Sequence, residues 1–185
     1  YKTMLLSINH QNIAAEAFYQ MAIRRFGVVP KLKLSSSINV EEFARMALDL
    51  KEADWSEFDG PKDELALSIK SLLDQKREIF EDYFSIILEN DQEGILKLTH
   101  LPELIEGYFP NPEGLPLFLL RLATDVDWLE EESCFRSIST QLGNYYSCLP
   151  ESRSCDSSFE KSNENVDDVA TSMVKDILIP SFRWS

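Results

Sequence analysis

The chain is poor in the residues that most catalytic and metal-binding motifs require. Of 185 residues only two are histidines, His10 and His100, and each reads as a solvated strand-end or loop side chain. The three cysteines, Cys134, Cys148 and Cys155, form no C-x-x-C, and an odd count without a scaffold pattern points to free thiols in a reducing compartment. Zinc would need cysteine and histidine ligands grouped at short spacing, and Cys148 and Cys155 have no histidine beside them. Six glycines are scattered singly, so neither G-x-x-x-x-G-K-[ST] nor G-x-G-x-x-G is present, and the backbone cradle for a nucleotide phosphate is absent. There is no G-x-S-x-G either. Long apolar runs are missing: the longest, Leu115 to Ala123, carries Arg121 and is well short of the roughly 20 residues that span a bilayer. No secretory leader pattern is visible.

Positive charge is also scarce. Eighteen basic against 32 acidic residues leave a net charge of −14. Phosphate backbones bind through clustered Lys and Arg that release counterions, and only Arg24–Arg25, Lys31/Lys33 and Lys76–Arg77 approach a cluster. Direct nucleic-acid binding is not expected. A basic peptide or protein partner suits the charge.

The most informative stretch is 112–147. Pro116 suits the first turn of a helix, because its missing N–H needs no partner there. The apolar run from Leu115 leads into an acidic corner, Asp125, Asp127 and Glu130 to Glu132, with Trp128 in its middle. Asp127 followed by Glu130 matches a capping box. Beyond it Phe135, Ile138, Leu142 and Tyr146 form one apolar helical stripe. The corner's carboxylates would suit a hard cation, but acids at a helix N-terminus are equally favoured by capping and the macrodipole.

Along the rest of the chain, residues 3–8 read as a strand and 13–26 as a helix capped by Asn12 and closed by Gly27. Val28 to Leu34 reads as a strand, serines 35–37 as a turn, and 39–50 as a second helix. A charged connector with Trp55 and Asp59–Gly60–Pro61 precedes a continuous helix over about 62–82. Tyr83–Glu89 and Ile95–Leu98 flank a hairpin turn at Gly94. Residues 149–164 read as a mobile Ser-rich loop, and 165–178 as a last helix. The expected class is α/β (α+β): a mixed sheet with helices packed on it and an inserted helical and hairpin lobe. Tyr1 already lies in an apolar run and the terminal IPSFRWS looks unfinished, so a longer protein is expected.

GLPLFLLRLATDVDWLEEESCF, DGPKDELA with Trp55 upstream, and FEDYFSIILENDQEG resemble eukaryotic MutL homologues, in particular the C-terminal domain of the common, MLH-type mismatch-repair subunit. The resemblance runs from about residue 4 to 180 and is dense over 43–148. It implies a dimerisation lobe from 1–60 and 130–185, with an external lobe over 61–129. It implies a heterodimer with a PMS-type endonuclease subunit, at work in the nucleus in mismatch repair and, in a paralogous version, in meiotic recombination. The family's metal site in that partner reads D-Q-H-A-x-x-E-x-E. Here the corresponding junction is Asn9–His10–Gln11–Asn12 with Glu16 beyond, so two-metal chemistry lacks its converging ligands. No catalytic residue, metal or cofactor is expected; the rival is a metal-dependent endonuclease in its own right.

The resemblance also implies a groove for short basic-aromatic peptides from an exonuclease and other repair factors. It falls on Glu131, Tyr83, Ile79 and Lys76, beside Trp128. Independently, Ile79 and Tyr83 are i, i+4 neighbours, and a carboxylate beside an apolar-aromatic slot suits an Arg/Lys-then-Phe/Tyr peptide. The alternative is ordinary packing for the two apolar residues and a surface role for Glu131. Gln20 and Pro116 match positions sensitive for partner association, and read equally as an exposed helix residue and a helix starter. The family's C-terminal tail, which reaches the partner's metal site, is not in this sequence.

Overall fold

A computed structural model describes residues 9–148. The expected strand at 3–8, the Ser-rich loop and the helix at 165–178 lie outside the described residues. Among those described, six helices pack on a three-stranded sheet, in keeping with the expected α/β class.

Helix α1, His10–Arg24, starts one turn earlier than the sequence reading placed it, because the side chain of Asn9, not Asn12, accepts from the backbone N–H groups of Gln11 and Asn12. It ends at Arg25, so Gly27 lies further on, in the left-handed region at φ +74°. There its N–H donates to the Tyr83 carbonyl at 3.1 Å, tying the end of α1 to the site described below.

Strand β1 runs Lys31–Asn39, after Pro30 rather than through it. Serines 35–37 do not turn the chain. Leu34 to Ser37 bulge opposite Thr99 alone, between the Lys33–His100 and Ile38–Leu98 pairs. The sheet order is β1-β3-β2, antiparallel throughout, with β2 Ile87–Asn90 and β3 Leu96–Pro102. The β2–β3 hairpin turns at Gly94, φ +76°, while Asp91 Oδ1 accepts from the N–H groups of Glu93 and Ile95. Tyr83 to Ile86 were expected in the strand but are not. The helix continues to Phe84, Ser85 takes a left-handed conformation at φ 55°, and its hydroxyl donates to the buried Val29 carbonyl.

Asn39 caps α2, Val40–Ala47, through the N–H groups of Glu41 and Glu42. The single helix expected over 62–82 is two, α3 Lys62–Gln75 and α4 Arg77–Phe84, broken at Lys76. Helix α5, Leu115–Thr124, begins with Pro116 in its first turn, as its sequence suggests. Helix α6, Glu131–Tyr146, has no capping box: Asp127 accepts from the Leu129 N–H in a turn of its own, and Glu130 accepts from the Ser133 hydroxyl instead of a backbone group.

The core is continuous across these elements. Ile138, Leu142 and Tyr146 on α6 are fully buried, with Phe135 half-buried beside them. Phe18 of α1 packs on Tyr108 and Tyr146 at 5.3 and 5.5 Å between ring centres. Tyr108 donates to the Tyr146 carbonyl and Tyr146 to the Pro102 carbonyl, so both buried hydroxyls are satisfied. Burial raises the Tyr108 phenol to about 12 and pushes the Tyr146 phenol up as well.

Helices α1 and α6 meet closely because Gly143 has no side chain. A Cβ there would lie 2.5 Å from the Ala15 carbonyl oxygen and 3.3 Å from Tyr19 Cβ. Helix propensity alone makes Gly143→Ala a gain of about 1 kcal/mol. The backbone clash outweighs it, and we expect a net loss of about 1–3 kcal/mol in chemical denaturation. A stabilised Gly143→Ala variant would mean that the two helices do not touch there.

Candidate docking site at the acidic corner

Of the residues singled out for the groove, Lys76 and Trp128 meet where α4 packs against the turn before α6, and Ile79 and Tyr83 lie on α4. The break at Lys76 lies one turn before the apolar face of α4, and the Lys76 ammonium sits over the Trp128 ring, 5.3 Å from its centre. Phe80 meets Trp128 edge-on at 5.8 Å and is fully buried. Ile79 is half-buried against the core, while Tyr83 keeps 38% of its surface exposed.

Tyr83 belongs to an aromatic group built from α4, α6 and the turn that follows α1. It stacks on Phe26 at 4.9 Å and tilts against Phe135 at 5.1 Å, and Phe26 and Phe135 meet edge-on at 4.8 Å. Phe26 reaches this place because the chain after α1 is held to the Tyr83 carbonyl through Gly27. One face of the tyrosine is therefore fixed and the other side is open.

Glu131 is the first residue of α6, exposed, where helix N–H groups favour negative charge. Its carboxylate makes no ion pair among the described residues, whereas its neighbour Glu132 is taken by Arg136 at 2.6 Å. Glu131, Asp127 and Lys76 all act on the thiol of Cys134, which is raised chiefly by burial. Arg121, further back on α5, is half-buried.

The corner thus offers an exposed carboxylate at the start of α6, a lysine over the indole of the turn before it, and a partly open tyrosine on α4. A carboxylate of this kind can take part in charge-assisted pairing, and the tyrosine and indole are apolar-aromatic surface for a side chain. Sequence reasoning missed Phe80: it took Ile79 as the wall, and only the structure puts Phe80 against Trp128. Leu129, fully exposed next to Trp128, was missed too, and no periodic pattern marks it.

The two interface candidates lie elsewhere. Gln20 is half-buried on α1 and donates to Glu16 at 2.8 Å, between the exposed side chains of Ile13 and Ile23. Pro116 is buried at the start of α5. Among the described residues no three His, Cys, Asp or Glu side chains converge as a metal site would need, and no helix is long and apolar enough to cross a membrane.

The Trp128 indole N–H is buried without an acceptor among the described residues. An unpaired buried donor costs about 1–3 kcal/mol, so Trp128→Phe removes that cost while keeping the edge-on contact with Phe80. We expect it to lie within about 1 kcal/mol of the native stability, and Trp128→Ala to lose at least about 2 kcal/mol by the cavity it leaves. Equal losses in urea titrations would show that the indole N–H is satisfied.

Residues 1–185 match the family described as DNA mismatch repair protein Mlh1 C-terminus. A DNA mismatch repair protein Mlh1 from Dictyostelium discoideum is 36% identical over 146 residues, covering 79% of this chain and 16% of that protein. DNA mismatch repair protein MLH1 from Saccharomyces cerevisiae is 28% identical over 191 residues, covering 97% of this chain and 24% of its own length. The chain therefore spans about a quarter or less of the relatives it matches.

Proposed function

The chain belongs to the Mlh1 C-terminal family of DNA mismatch repair proteins, and from that premise we propose that it is a non-catalytic docking domain. It joins a PMS-type subunit, which carries the endonuclease, and holds short basic-aromatic motifs of an exonuclease and other repair factors. Its place of work is the nucleus, in mismatch repair and meiotic recombination. Residues 1–60 and 130–185 serve dimerisation and 61–129 form the external lobe.

The observation that carries the docking reading is the corner itself: Glu131, without an ion pair among the described residues, starts α6 just after Trp128, whose ring lies under Lys76 at the head of the helix that carries Ile79 and the open Tyr83. An incoming Arg or Lys pairs with Glu131, and the following aromatic side chain lies against Tyr83 and Ile79. Lys76 opposes a second positive charge near Trp128, so it orients the peptide with its basic end toward Glu131. That like-charge placement favours one register over the reverse.

The non-catalytic reading is supported by the start of α1. Asn9, which stands where the family's nuclease subunits carry an acid, spends its side-chain oxygen on capping the helix. Glu16 is engaged by Gln20. For dimerisation, the apolar stripe Ile13 and Ile23 with Gln20 between them offers α1 as a partner face, and Pro116 acts from beneath by fixing where α5 begins.

The test is titration of a labelled Arg-Ser-Lys-Phe-Phe peptide against the native chain and Glu131→Arg. We expect the substitution to cost about 2 kcal/mol or more, roughly 30-fold in Kd. Equal binding by both proteins would remove Glu131 from the site.

A further inference from the structure

On the other side of the acidic corner, and sharing no lining residue with the docking site above, is a hollow of about 550 Å³ between α2, α3, α5 and the connector. Its floor is Leu48, Ile69 and Leu120, all buried, and its walls are the half-buried Trp55, Leu72 and Ala123. The connector is held in shape locally. The Trp55 indole N–H donates to the Gly60 carbonyl at 3.2 Å, and the Lys62 ammonium covers the outer face of the ring at 4.4 Å.

Every charged side chain that lines the hollow is negative: Asp54, Asp59 and Asp125. Asp59 is kept ionised by the Ser56 hydroxyl and N–H, which donate to its carboxylate and lower its pKa below the usual carboxylate value. Asp125 accepts only from the adjacent Thr124 hydroxyl, and Asp54 makes no ion pair among the described residues. Lys62, which lies over the Trp55 ring, is already paired with Asp49. Phe58, beside Asp59, is fully exposed. An apolar cavity whose rim carries three carboxylates, none of them neutralised by a base, is complementary to an apolar side chain flanked by cations.

We propose that this hollow is a second docking site, taking one large aliphatic or aromatic side chain of a peptide whose neighbouring residues are arginine or lysine. The apolar side chain enters between Trp55, Leu72 and Ala123, and its basic neighbours stay at the rim against Asp54, Asp59 and Asp125. Nucleic acid and phosphorylated peptides are disfavoured by the same rim.

The test uses two fluorescein-labelled probes, Gly-Arg-Arg-Leu-Arg-Arg-Gly and the same peptide with glycine in place of leucine, against the whole chain. The leucine probe should bind at least about 10-fold more tightly. Ala123→Trp, which fills the hollow, should erase that preference, and Glu131→Arg should leave it intact. Asp54→Asn with Asp125→Asn, both at the surface, should weaken the leucine probe several-fold and guards against misfolding of the tryptophan variant. Equal binding of the two probes, a preference that survives Ala123→Trp, or one lost in Glu131→Arg would each overturn the proposal. So would self-association of the chain dispersed by Ala123→Trp, which would assign the hollow to a second copy.

Discussion

The architecture depends on the contact between α1 and α6 at Gly143. A helix pair separated by side chains at that point would stand about an ångström or more further apart, since a single Cβ there meets backbone. The approach seats Phe18 between Tyr108 and Tyr146, and it brings the end of α1 level with the start of α6. Phe26 can then reach Phe135 and Tyr83 together. Without that alignment the aromatic group behind the acidic corner has no common meeting point, and Tyr83 has nothing to hold its ring.

The second organising feature is the division between a neutral aromatic interior and an acidic surface. The buried tyrosines and Cys134 are all pushed toward their neutral forms by desolvation. The carboxylates stay outside, and many find lysine or arginine partners: Lys31 with Glu81, Lys62 with Asp49, Lys97 with Asp91, Arg136 with Glu132. Exposed pairs of this kind contribute little to stability. Their consequence is different: they leave Glu131 at the corner, and Asp54 and Asp125 at the hollow, among the acids without an ion pair in the described residues, where a cation can gain. Both lie beside apolar surface, so charge and shape favour the same class of ligand.

Much of this could be read from residue spacing, and the failures have specific causes. The stripe Phe135, Ile138, Leu142, Tyr146 marks α6 and its inner face correctly, and Pro116 marks the start of α5, because both signals are local. The choice between Asn9 and Asn12 as a cap was undecidable from pattern, since either leaves an acceptable apolar face. The break at Lys76 contains neither proline nor glycine, so nothing in sequence announces it. The serine bulge in β1 exists only because Thr99 on another strand sets its register. The corner is half legible: the family resemblance marks Glu131 and Tyr83, but the contact of Lys76 and Phe80 with Trp128 joins residues about fifty positions apart. Such contacts come from packing and have no local signature.

The claim most exposed to refutation is that this polypeptide brings other repair proteins together and breaks no bond itself. Incubating it with supercoiled plasmid and manganese tests that directly. The account predicts no nicking by the chain alone, and nicking once a PMS-type subunit is added. Nicking that rises with the concentration of this chain alone, and disappears in Glu16→Ala, would contradict it.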